Sequence, residues 1–220
     1  MLNNCDDKNY NQILSYWDVT KTELKLKGIK VNEAVVTDYN DVFFNIIQPM
    51  YSEQSRHYHT LKHILHCYSI LFNHRRFAEN QITVSLALWF HDIDSRSEEN
   101  SFNIFRTVFD QASMERELFE QVRNNILATK HDKKDLQGDE ALTADIDLVI
   151  LGQSDTIFRI YEIEVREEYR YVPDKLYKIF RTNILSSFLK RDSLYFTDYF
   201  RDKYEEQARR NLEQSIERLK

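Results

Sequence analysis

The chain is poor in the residues that make turns and cross-links. Its 220 residues include only 3 glycines and 2 prolines. This scarcity disfavours an all-β fold, because such folds need frequent turns. The 2 cysteines, Cys5 and Cys67, do not form a Cys-x-x-Cys pair. They are too few for the disulfide framework of a small secreted protein.

Long apolar runs and an excess of positive charge are also missing. No apolar run approaches the roughly 18 residues that a membrane helix needs, and residues 1–10 are polar and acidic, unlike a signal peptide. The formal net charge of -6 provides no basic surface for a nucleic-acid polymer. We therefore expect a cytoplasmic protein that acts on no membrane and no nucleic acid, and we leave a homo-oligomer open.

Apolar residues recur at helical spacing along most of the chain. Hydrophobic residues make up 42% of the sequence and aromatic residues 13%, which is enough for one well-buried domain across residues 1–220. The pattern predicts an all-α fold, a single helical bundle. The predicted helices cover 9–27, 32–47, 60–72, 80–92, 101–109, 116–130, 141–151, 154–171, 173–190 and 198–220.

Several residues predict where these helices begin and stop. Gly28 is expected to end the first helix, and Asn32 to cap the second. Pro49 is expected to break the second helix, and Thr60 to cap the third. Residues 146–151 have the composition of a buried strand, but we favour a helix since no second strand is available for pairing.

Four side chains that can bind a metal stand on or beside apolar segments. His91 and Asp92 end the fourth predicted helix, which is apolar nearly all round and is therefore expected to be central. His63 lies beside the buried face of the third helix, and Asp147 lies in a later apolar segment. Two imidazoles and two carboxylates suit manganese, iron, cobalt, nickel, zinc or magnesium without selecting one of them.

The His-Asp dipeptide by itself is a weak signal. A second one, His131-Asp132, occurs in a charged loop. Taken alone, His91 is explained equally well as a hydrogen-bonded histidine at a helix end. The prediction of a metal site depends on the whole set, in which His63 and Asp147 flank the central pair.

Three segments of the sequence resemble the HD superfamily of metal-dependent phosphohydrolases. They are Arg56-x-Tyr58-His59-x-x-x-His63, Trp89-Phe90-His91-Asp92 and Asp145-x-Asp147-Leu148-x-Ile150-Leu151-Gly152. The likeness continues through residues 128–131 and 166–174, so it covers nearly the whole chain. It implies an all-helical HD domain with metal ligands His63, His91, Asp92 and Asp147. Members of this family are mostly uncharacterised, so the family name is itself a prediction.

The resemblance also implies roles for the other histidines. In cyclic nucleotide phosphodiesterases, which are distant relatives, the first histidine of a similar Tyr-His-x-x-x-His segment protonates the leaving oxygen. By that resemblance His59 is the general acid, while Asp92 serves the reaction as a ligand of the catalytic metal. Alternatively, His59 caps its helix or hydrogen-bonds to Asp147. His131 either takes part in catalysis, by binding a second metal or the phosphate, or is a solvated loop residue.

Positive side chains close in sequence to the ligands are candidates for substrate binding. Arg56, Lys62 and Lys130 are placed to neutralise a phosphate, although most lysines and arginines are simply solvated. The chain departs from the family after its His-Asp pair, where Ile93-Asp94-Ser95 leads into a shorter loop. We expect Asp94 to cap the next helix or to face solvent rather than to reach the metal.

The favoured function is that of a metal-dependent phosphohydrolase, in which a metal-activated water attacks a small phosphate ester, such as a nucleotide. The main alternative is a nucleotide-binding or sensing HD protein with little turnover. Two others stay open. A di-iron oxygenase would need extra ligands such as His131 and Asp94, and a helical interaction module would use its histidines only structurally.

Overall fold

The computed structural model describes residues 6–220, so Cys5 and the first half of the polar segment 1–10 lie outside the described residues. Helices joined by short connections make up this part of the chain, and no strand occurs in it. Val31 and Phe109 form an isolated antiparallel β-bridge. The prediction of an all-α fold is confirmed.

The described residues group into two compact units, one up to Thr143 and one from Ala144 to Lys220. This grouping does not test the expected single domain across residues 1–220, which stays a prediction. The first unit contains α1 (Asp7–Leu26), α2 (Tyr39–Asp41), α3 (Gln48–Tyr51), α4 (Leu61–His74), α5 (Gln81–Phe90), α6 (Glu98–Val108) and α7 (Arg116–Ala128). α8 (Gly138–Leu148) contains the boundary, and the second unit continues with α9 (Asp155–Glu168), α10 (Asp174–Leu189) and α11 (Asp198–Leu219). A π-helix (Val42–Ile47) connects α2 to α3, and 3-10 helices span Arg75–Phe77, Gln111–Ser113 and Val149–Gly152.

α5 is the centre of the first unit because it is mostly apolar and nearly all of it is buried. All residues from Ile82 to Phe90 are buried, and the helix packs against α1, α4, α6 and α7. Within it, Trp89 donates its Nε1–H to the Thr20 hydroxyl over 3.0 Å. A helix that is apolar all round is stable only when it is enclosed. The residues that follow it, His91 and Asp92, therefore emerge beside the core.

The second predicted helix, 32–47, is wrong at both ends. Asn32 caps only a turn, in which its side-chain oxygen accepts the N–H of the residue two positions on over 3.2 Å. The helix begins at Tyr39 instead, because the Asp38 carboxylate accepts the N–H groups of the first turn. Pro49 does not break the helix. It is the second residue of α3, which follows the π-helix without a break.

The other predicted helix ends are closer to the structure. Gly28 follows α1 with φ +67°, a left-handed conformation that glycine adopts without strain. The Thr60 hydroxyl accepts the Lys62 N–H and so caps α4, as expected. The segment 146–151 is helical, as predicted. The loop before α6 is shorter than predicted. The predicted helix began at residue 101, but Ser97 caps α6 and the helix begins at Glu98.

Polar contacts hold α11 in the second unit. The Asp145 carboxylate accepts the backbone N–H groups of Phe196 and Thr197 over 2.8 Å and the Thr197 hydroxyl over 2.7 Å. Further along α11, the buried Asn211 amide donates to the carbonyls of residues 151 and 153 over 2.7 and 2.8 Å. Asp145 therefore fixes the two residues that lead into α11.

Candidate metal centre

The end of α5 carries two of the predicted ligands. His91 extends the helical hydrogen bonding by one residue, since its backbone N–H donates to the Ala87 carbonyl over 2.8 Å. Its Nδ1 lies 3.1 Å from the Leu88 carbonyl oxygen. An Nδ1–H that donates to this oxygen leaves the lone pair of Nε2 available for a metal.

His63 on α4 and Asp92 bring two further ligand atoms to the same place. His63 Nε2 lies 3.1 Å from His91 Nε2. Asp92 Oδ2 lies 3.3 Å from the His63 Nε2 and 3.1 Å from the His91 Nε2. Ligands about 2.1 Å from a divalent ion lie roughly 3.0 Å apart at neighbouring octahedral positions and roughly 3.4 Å apart in a tetrahedron. The three atoms therefore have the spacing of one face of a metal coordination sphere.

The three ligands differ in exposure. The two histidines are buried, with 3% of His63 and 1% of His91 exposed, whereas 23% of the Asp92 side chain is exposed. Burial acts to raise the pKa of Asp92. The charges of His91 and His59, with hydrogen bonds from His63 and His91, outweigh burial and hold that pKa well below its usual range. Asp92 is therefore ionised at neutral pH, in the form that binds a metal.

Asp147 is the fourth member of the group. Each of the four residues, His63, His91, Asp92 and Asp147, has a ligand atom within 4.8 Å of those of the others. The structure therefore brings together all four predicted ligands, in a group that could hold a metal ion. Two nitrogen and two oxygen donors do not identify the ion.

His59, the expected general acid, lies in the turn before α4. Its ring centroid is 5.8 Å from that of His63 and 4.8 Å from that of Tyr58. The helix cap is Thr60 rather than His59, so the capping alternative for His59 is wrong. The position beside a ligand is compatible with proton donation, and the acid role itself stays a prediction.

Arg56 is buried and contacts the protein backbone. Its Nη1 donates to the His59 carbonyl over 3.1 Å and to the Asp92 carbonyl over 2.7 Å, and its Nη2 donates to the Ile93 carbonyl over 2.8 Å. The prediction that Arg56 is placed to neutralise a phosphate did not anticipate these contacts, and it stays a prediction. No local pattern could have revealed them, because two of the three carbonyls lie 36 and 37 positions away.

The other predicted substrate and loop residues lie outside the four-ligand group. Lys130 is exposed and pairs with Glu99 over 3.1 Å, and Lys62 is exposed on α4. Their substrate-binding roles stay predictions. The Asp94 carboxylate accepts the backbone N–H of Arg96 and pairs with its guanidinium over 2.8 Å. Asp94 therefore shapes the loop, and its contacts give no support to a second metal site.

His131 follows α7 in a left-handed conformation, with φ +56°. Histidine tolerates this region better than most residues that carry a side chain. Its backbone N–H donates to the Ala128 carbonyl over 3.2 Å at the end of the helix. A catalytic role for His131 stays a prediction.

Comparisons of the chain with models of protein families, with curated proteins and with solved structures gave no match. The resemblance to HD phosphohydrolases therefore depends on the residues alone and stays a prediction. Among residues 6–220, no helix combines the length and the apolar character required to cross a membrane.

Proposed function

We propose that this protein is a metal-dependent phosphohydrolase that acts on a small phosphate ester, such as a nucleotide. The observation that carries the proposal is the convergence of the His63, His91 and Asp92 ligand atoms on one point, at 3.1–3.3 Å from each other. Packing alone gives no reason for two buried imidazoles and a carboxylate to stand at that spacing. They are a good arrangement for a divalent ion.

A divalent ion in this group would polarise a phosphoryl oxygen and would lower the pKa of a bound water towards neutrality. His63 and His91 would hold it through Nε2, and Asp92 and Asp147 through carboxylate oxygens. The partial exposure of Asp92 leaves a side from which water and substrate can approach.

His59 would then donate a proton to the leaving oxygen of the ester. A histidine suits this step because its ordinary pKa is near neutral. Its ring stands beside His63, so a proton on His59 would be close to the ligand group. Lys62, exposed one residue before His63, is the predicted phosphate-binding side chain that forms no ion pair with any of residues 6–220.

Phosphate release tests the proposal. Wild-type protein would be assayed against a panel of nucleotides and sugar phosphates, with manganese, cobalt or nickel added and with a chelator. We expect metal-dependent release that falls by about two orders of magnitude or more in Asp92→Asn, because the loss of a ligand charge should cost at least as much as the loss of an outer partner.

Asp94→Asn is the matched control. It makes the same chemical change two residues along the chain, at a carboxylate that pairs with Arg96 rather than with the histidines, and it should keep most of the activity. Metal binding without release from any compound would favour the nucleotide-binding or sensing alternative. Absence of metal binding would contradict both.

A further inference from the structure

Two side chains before α4 hold the backbone around the His-Asp pair. The Tyr51 hydroxyl donates to the Trp89 carbonyl over 3.1 Å, and Arg56 donates to the carbonyls of residues 92 and 93. The Arg56 guanidinium also lies over the Tyr51 ring, 5.1 Å from its centroid. Both side chains are buried, with 1% of Tyr51 and 6% of Arg56 exposed.

The contacts of Arg56 supply hydrogen-bond donors to backbone carbonyl groups after the end of α5. The carbonyls of Asp92 and Ile93 follow the end of α5, where carbonyl groups have no partner within the helix. Buried carbonyls must be paired, and a cation is favoured at the negative end of the helix dipole. Arginine is suited to this place because its planar guanidinium presents several N–H groups in fixed directions, which the single ammonium of lysine cannot reproduce.

The same guanidinium also donates to the His59 carbonyl. One rigid group therefore joins the backbone of the expected acid to the backbone of the Asp92 ligand. Its Nη1 is shared between the two, at 3.1 Å from the His59 oxygen and 2.7 Å from the Asp92 oxygen. A shift of either segment would break a bond to this atom.

We propose that Arg56 is a positioning residue, which sets the distance between His59 and the Asp92 ligand, and that it does not bind the substrate phosphate. The part of this proposal that concerns the acid rests on the proposed phosphohydrolase function. The part that concerns the metal ligand does not, and it can be tested with the metal alone.

The experiment compares wild-type protein with Arg56→Lys and Arg56→Ala, using cobalt(II) as the probe. The visible absorption of bound cobalt reports its ligand geometry, and calorimetry gives the affinity. We expect both variants to alter the cobalt spectrum and to weaken cobalt binding by about 10- to 100-fold, the range found when the outer partners of ligands are removed. A low, non-denaturing concentration of guanidinium ion should restore the wild-type spectrum to Arg56→Ala, because it can refill the vacated space.

Tyr68→Phe is the control for a simple loss of stability. It removes a buried hydrogen bond of 2.7 Å between α4 and the Ser85 carbonyl of α5 and leaves the contacts of Arg56 in place. It should lower the melting temperature while the cobalt spectrum stays as in wild type. Where turnover is present, Arg56→Lys should lower kcat with little change in KM.

If both arginine variants keep the wild-type cobalt spectrum and affinity and show a raised KM, the proposal is overturned. Arg56 would then be a substrate-binding residue. Wild-type protein that binds no cobalt would overturn it as well. A third outcome separates the two proposals. If wild-type protein binds cobalt, the variants show the expected changes and no phosphate is released, the positioning of Asp92 is supported and only the phosphohydrolase function is contradicted.

Discussion

The metal centre predicts a coupling between metal binding and thermal stability that Asp92→Asn should remove. A ligand that binds only the folded protein stabilises it by RT ln(1 + [L]/Kd), which is about 2.7 kcal/mol at a concentration one hundred times Kd. For a chain of this length each kcal/mol shifts the melting temperature by about 2–4 °C. Saturating metal should therefore raise the wild-type melting temperature by roughly 5–11 °C.

The structure indicates how much of this shift depends on Asp92. Its Oδ2 is one of the three ligand atoms that lie 3.1–3.3 Å from each other, and it belongs to the only carboxylate among those three. If Asp92→Asn weakens binding about 100-fold, the same metal concentration equals Kd. The stabilisation then falls to about 0.4 kcal/mol and the shift to roughly 1–2 °C.

The assay is thermal unfolding followed by circular dichroism, with and without manganese, cobalt, nickel or zinc. Asp94→Asn is again the control, since its carboxylate pairs with Arg96, and it should show the full wild-type shift. Equal metal-induced shifts in wild type and Asp92→Asn would refute the assignment of Asp92 as a ligand. Equal losses in both variants would show that any change in this loop disturbs the site.

Three further predictions concern the stability of the protein. Thr20→Val should lower the free energy of unfolding in urea by about 1–3 kcal/mol, because the buried Trp89 Nε1–H loses its acceptor; unchanged stability would contradict the importance of this bond. Gly152→Ala should cost about 1–3 kcal/mol by overpacking, since its Cβ would lie 2.6 Å from that of Tyr204, and a variant that melts with the wild type would show that α11 can shift. Burial raises the pKa of Tyr177 to about 12, so its contribution to stability is complete below the ordinary tyrosine pKa near 10 and is lost as the pH rises towards 12. Stability measured across this alkaline range should fall less in Tyr177→Phe, and an identical decline in both proteins would count against the shift.

The features that could be predicted from the sequence are those set by neighbouring residues. The nearly all-round apolar character of residues 82–90 is a local property, and it correctly predicted a buried α5 with a His-Asp pair beside the core. The Thr60 cap likewise needs only an N–H two residues away. The second helix was misplaced because Asn32 and Asp38 are both good caps, and only the packed structure selects between them.

Side-chain partners from distant segments could not be predicted in this way. Asp145 and Asp147 stand two residues apart in one apolar segment. Yet Asp145 accepts N–H groups at residues 196 and 197, while Asp147 belongs to the four-ligand group. Their residue type is the same, so their different roles follow from what each one meets in space.

The amino-acid sequence by itself determined the helical class and the identities of the four candidate ligands, because helical periodicity and donor chemistry are properties of short segments. Only the tertiary structure decided that three ligand atoms lie at coordination spacing and that Arg56 donates to the carbonyls of residues 59, 92 and 93. The physical reason is that a buried polar group must find a partner wherever the packed chain offers one, and that partner can lie far away in sequence.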